Sequence, residues 1–123
     1  TGGRRRVVVL FERFEADECL FWLEKNLPQP GSVLYRKLTG FKSELILYMM
    51  AATKHETVKR SISNYVTQLR YINTLITGKD LKRMGLEPGP IYREILQAVL
   101  DAKLNVQLKT RNDELDFVKA YVR

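Results

Sequence analysis

The chain has 123 residues, enough for one domain with a real core, or for a compact domain with an appended helical pair. Apolar residues make up 45%, as in ordinary folded proteins, and no run of about 18 of them exists to form a membrane span. The 21 basic and 14 acidic side chains leave a net charge of +7, which favours an anionic partner, RNA or DNA first, although plain soluble domains also carry such an excess.

The lone Cys19 has no internal disulfide partner, and the single His55 is far from it in sequence, so neither belongs to a zinc site. Cys19 reads as a small buried hydrophobe. The apolar run at residues 7–10 follows three arginines but is too short for a signal peptide, so a cytoplasmic protein is expected.

In chain order, residues 1–6 read as a frayed start. Arg4, Arg5 and Arg6 there have two open readings, phosphate contact or a solvated helix start. Residues 7–11 have strand propensity, but no second strand-like run exists to pair with them. Helix continuing through Phe14 is therefore expected. Residues 17–25 read as a further helix, and two prolines and a glycine break the chain at 26–32. Ser32 is a plausible N-cap for a helix at 33–38, which Thr39 and Gly40 end. Residues 43–52 are apolar almost all round, the pattern of a helix at the centre of a bundle.

Residues 55–72 place apolar side chains at 58, 62, 65, 69 and 72, the spacing of a helical seam. Lys59, Ser63, Thr67 and Arg70 lie on another face. Residues 36–70 carry seven basic side chains against two acidic ones, the strongest charge asymmetry in the chain. It reads equally as an RNA-facing strip or as a solvated face.

Residues 77–105 hold the densest set of signals. Thr77 and Asp80 have capping-box spacing. A short helix at 79–84 should stop at Gly85, where a left-handed residue is needed. Pro88-Gly89-Pro90 is a rigid corner able to open a helix. From Ile91, apolar residues at 91, 95, 98, 99 and 102 mark one face of a long helix. Thr110 and Asp113 repeat the cap spacing before a last helix at 112–122. The whole is an all-α, compact bundle of about six to seven helices with a helix-turn-helix-like tail. Residues 1–76 form a helical body segment and 77–123 a tail module, expected to pack as one unit.

Gly78-Lys79-Asp80-Leu81, then Gly85-Leu86, Pro88-Gly89-Pro90 and Tyr92, Ile95 and Leu96 resemble the C-terminal tail of bacterial tRNA nucleotidyltransferases. These are the CCA-adding, A-adding and poly(A) polymerase-like enzymes. Residues 34–38 and 44–52 resemble that family's body region, so the likeness runs from about Ser32 to the end. It implies a piece of a larger enzyme. The catalytic head of such an enzyme, with magnesium carboxylates and the ATP- or CTP-selecting residues, would lie upstream. The body and tail would hold the acceptor stem and elbow of tRNA.

The residues themselves contain no catalytic constellation and no cofactor or metal site. Glu114 and Asp116 point about 200° apart on a helix and cannot share one ion. Gly2-Gly3 is followed by arginines, unlike the family's G-G-x-V-R-D motif, and no phosphate-binding loop is present. His55 has no triad partner nearby and reads as a surface residue at a helix start.

For RNA contact the expected residues are Lys79, Lys82, Arg83, Gly89 and Arg93 around the proline corner and Lys109 and Arg111 at the next helix start, with Lys59 and Arg70 upstream. Gly89 has a backbone N–H and no side chain to hold a ligand away. Pro88-Gly89-Pro90 reads first as a rigid corner that fixes the angle between two helices, and the two roles can coexist. The second functional class is a helical protein-interaction or dimerisation module with an apolar face around Phe11, Phe14 and Trp22. No membrane partner is expected.

Overall fold

The computed structural model describes residues 2–123. Among them are seven α-helices, one 3₁₀ turn and no strand. They form two compact units. The first holds residues 2–29 and 33–70, the second 30–32 and 71–123.

In the first unit, α1 (Gly2–Asn26) is one continuous 25-residue helix. The valines at 7–9 have no strand to pair with, so the chain takes the structure that satisfies its own N–H and C=O groups. Residues 3–6, expected to fray, belong to this helix, while Thr1 lies outside the described residues. Ala16, Leu20 and Leu23 are buried on one side of α1, which packs against α3 (Ser43–Ala52). The Tyr48 hydroxyl donates to Asp17 at 2.7 Å, Thr53 Oγ1 donates to Glu24 at 3.1 Å and Lys42 pairs with Glu12 at 3.0 Å. α2 (Gly31–Leu38) buries Leu34 and Leu38, and α4 (Glu56–Thr67) buries Val58, Ile62 and Tyr65.

Three expectations change here. α3 is not a central helix, because only Ile46 and Met49 are fully buried and Leu47 is exposed. The seam at 58, 62, 65 and 69 is buried as read, but α4 stops at Thr67 and Leu69 sits in a 3₁₀ turn (Leu69–Tyr71). Cys19 is half-buried, with its Sγ 3.7 Å from the Lys37 carbonyl, and burial pushes its thiol pKa up. His55 is exposed beside the start of α4, as expected.

The second unit is built from α5 (Gly78–Arg83), α6 (Pro90–Leu104) and α7 (Arg111–Tyr121). Ile76, Leu81, Ile95, Val99 and Val118 form its core, with Met84, Leu86, Tyr92 and Leu96 against them. Ile91, placed on the buried face by its spacing, is exposed in the first turn of α6, where its neighbour Tyr92 is the side chain that meets this core. Ser32 is not an N-cap. The helix begins one residue earlier, and the Ser32 N–H donates to Asn105 Oδ1 at 2.9 Å.

Candidate nucleic-acid interface

Short-range hydrogen bonds fix every helix end around the second unit's basic residues. Thr77 accepts from the Lys79 N–H at 3.3 Å, and Asp80 accepts from the Thr77 N–H at 2.9 Å. Thr110 and Asp113 repeat the exchange at 3.1 and 3.0 Å. These are the two capping boxes read from the sequence. At the other end of α5, Gly85 takes φ +89°. Its N–H reaches the Lys82 carbonyl at 3.0 Å, and the Leu86 N–H reaches Leu81 at 3.2 Å. This double bond is a Schellman stop, closed by apolar contact of Leu86 with the core that holds Leu81. α6 stops the same way. Val106 and Gln107 donate to Lys103 and Ala102, both at 2.9 Å, and Val106 holds φ +60°.

The proline corner is locked by Tyr92, whose hydroxyl donates to the Leu86 carbonyl at 2.5 Å while its ring lies against Gly78. Gly89 is the residue before α6, and Pro90 opens the helix. Its φ of 168° is extended backbone, and a Cβ built there meets no atom within 4 Å. Nothing in the fold requires glycine at this position.

Asp80 joins two of the helix starts. Besides capping α5, it accepts a hydrogen bond and ion pair from Arg111, the first residue of α7. The Thr77 N–H, then Arg111 and Arg83, hold the Asp80 carboxyl below the usual carboxylate range. The Thr110 and Lys109 N–H groups do the same for Asp113. Arg111 is thus committed to holding α7 on α5.

Lys79, Lys82, Arg83, Arg93 and Lys109 are exposed and form no ion pair among the described residues. Arg93 lines a shallow concavity of about 350 Å³ with Asn73, Thr74, Leu96, Gln97 and Leu100. Lys59 and Arg70 belong to the first unit. Lys59 has Glu56 at 3.9 Å, and Arg70 lies beside Ser43, Leu47 and Val66.

Glu114 is the polar group that sequence reasoning missed. It is fully buried. Its Oε1 accepts from the N–H groups of Leu75 at 2.8 Å and Ile76 at 3.3 Å. Lys103, itself bonded to the Asn73 carbonyl at 2.6 Å, has its Nζ 3.3 Å from Oε2 as an ion pair, without hydrogen-bond alignment. Glu114 is therefore a strut between α7 and the segment before α5. Asp116 is exposed, so the two acids do face apart. Among the described residues no cluster of His, Cys, Asp or Glu could hold a metal ion. The residues present do not fit the magnesium that the family resemblance assigns to a catalytic head.

No family model matches the chain, and no solved structure matches it. Two curated proteins do, both named A-adding tRNA nucleotidyltransferase. One, from Geobacter sulfurreducens, is 52% identical over 84 residues, 68% of this chain. The other, from Halalkalibacterium halodurans, is 25% identical over 75 residues, 61% of this chain. This chain is similar to a segment of the A-adding tRNA nucleotidyltransferases. The matches span only 10% and 18% of those two proteins. The family resemblance carried by Gly78–Pro90 and its neighbours agrees with this finding, and no helix is long and apolar enough to cross a membrane among the described residues.

Proposed function

We propose that this chain is a non-catalytic, RNA-holding region at the C-terminal side of a tRNA nucleotidyltransferase or poly(A) polymerase. It positions tRNA while a catalytic head elsewhere in the longer protein extends the 3′ end, in the cytoplasm, with magnesium and ATP or CTP. The observation that carries the reading is the 52% identity with a protein whose name specifies action on tRNA. The exposed cations of the second unit, which form no ion pair among the described residues and lie at both ends of α5, near the start of α6 and just before α7, support it. Double-stranded RNA offers phosphates, 2′-hydroxyls and shape, and such a surface meets these without reading base edges. Lys79, Lys82, Arg83, Arg93 and Lys109 make the phosphate contacts, with Lys59 and Arg70 on the first unit. Gly89 lets the backbone come close, and Arg111 acts mainly by positioning α7.

The test is tRNA binding as a function of salt. Engagement of about four phosphates at once by a subset of these side chains gives a log–log slope near −3 to −4. Lys79→Ala with Lys82→Ala reduces that slope by about two. A flat salt profile, or no binding at low salt, overturns the reading. Incubation of the chain with tRNA, magnesium and labelled ATP or CTP should give no incorporation. Label in the product would reveal an active site in the chain itself.

A further inference from the structure

α1 has two apolar sides, and its own unit covers only part of one: Val9, in line with the buried side, is 49% exposed. At about 100° per residue, Ala16, Leu20 and Leu23 share the buried side. Val7, Leu10, Phe11 and Phe14 project from the opposite side and are 66%, 66%, 61% and 58% exposed. Scattered apolar side chains on a surface need no explanation, but a stripe along the solvent side of one helix marks an interaction face. Phe21 continues the stripe further on and already carries Lys25 over its ring at 5.0 Å.

The charges that bracket the stripe choose its occupant. Arg4, Arg5 and Arg6 precede it, and Glu15, Asp17 and Glu18 follow it, all exposed. A second copy laid parallel would set arginine against arginine and carboxylate against carboxylate. A second copy laid antiparallel reverses both. With the two-fold axis level with Leu10 and Phe11, Val7 of one copy lies beside Phe14 of the other, and Leu10 beside Phe11. Arg4 then comes within one residue of Glu18, about 1.5 Å along the axis, and the two lie on the same flank of the helix, about 40° apart. Arg6 comes within two residues of Asp17, about 3 Å along the axis, on the other flank, about 20° apart. In antiparallel helix pairs like flanks face each other, so both flanks bring opposite charges together. Asp17 already accepts the Tyr48 hydroxyl on Oδ1, which leaves the Arg4–Glu18 flank as the more open of the two.

We infer that α1 is a self-association helix, pairing antiparallel with α1 of a second copy through Val7, Leu10, Phe11 and Phe14 and aligned by Arg4 against Glu18. This uses the first unit alone and does not rest on the RNA reading.

Sedimentation of the chain over a range of concentrations tests it. An interface this short lies at the small end of specific contacts, so a reversible dimer with Kd of micromolar order is expected. Phe14→Glu weakens it by at least about tenfold with the helix content unchanged by circular dichroism. The decisive arm is a charge swap on the surface, where folding is not at stake. Glu18→Arg weakens the dimer, and adding Arg4→Glu to the same chain restores it. A chain that sediments as a monomer at every concentration overturns the pairing and assigns the stripe to another segment of a longer protein. A dimer that the double swap fails to restore overturns the antiparallel register.

Discussion

The two units solve the same problem in opposite ways. In the second unit, side-chain caps open α5 and α7, Schellman bonds stop α5 and α6, and one buried carboxylate ties the segment before α5 to α7. In the first unit, α3 and α4 start at Lys42 and His55 without a side-chain cap, and the longest helix leaves an apolar stripe in water. The second unit is specified by groups within itself. The first presents a surface that only another molecule or segment can complete.

The contrast breaks most visibly at Glu114. Glu114→Ala leaves Lys103 and the N–H groups of Leu75 and Ile76 without their partner, and should destabilise the second unit by about 3–5 kcal/mol. Urea unfolding followed by probes in each unit checks it. Equal loss in both units would mean that they unfold together.

Acid comes next. Asp80 and Asp113 have carboxyl pKa values lowered in the folded chain, so their stabilisation is fully present above the ordinary carboxylate value of about 4 and is lost as pH falls through the depressed values. Thermal melting should be insensitive to these groups from pH 7 to about 5 and fall below about 4. Arg111→Ala removes one cause of the Asp80 shift and should move that acid limb upward in pH.

The caps are worth less. Thr77→Ala and Thr110→Ala should each cost about 1 kcal/mol by the same urea assay, and their effects should add, because the two exchanges share no hydrogen bond.

Gly89→Ala should change stability by no more than a few tenths of a kcal/mol, since its backbone is extended and its surroundings are open. Any loss of tRNA affinity in that variant therefore reports ligand approach and not folding.

What was legible in the sequence was what acts over three or four residues. Thr77 with Asp80, Thr110 with Asp113, Gly85 as a stop and a proline of the 88–90 corner as a start are each local patterns, and each appears, the start at Pro90. Glu114 was invisible because its partners lie 38 and 39 residues upstream, and nothing in its neighbourhood marks them. α3 was misjudged because apolar residues all round a helix imply a central position only when other elements cover every side, and here Leu47 is left uncovered. α1 was read in pieces because the strand preference of Val7, Val8 and Val9 competes with helix wherever no partner strand is counted. Of the expected RNA contacts, only positions and charge were legible in the sequence. That Arg111 is held by Asp80, while Lys79 and Lys82 carry no ion pair among the described residues, required knowing which helix starts meet.

The Glu114 strut also sets where this protein can be shortened. A version ending before α7 would shed more than a terminal helix: it would strip the acceptor from two backbone amides far upstream, unclasp Arg111 from Asp80 and uncover the side of the core that Val118 seals. Trimming from that end should therefore unravel the stretch around residues 73–76 first, well away from the cut, and proteases ought to find it there.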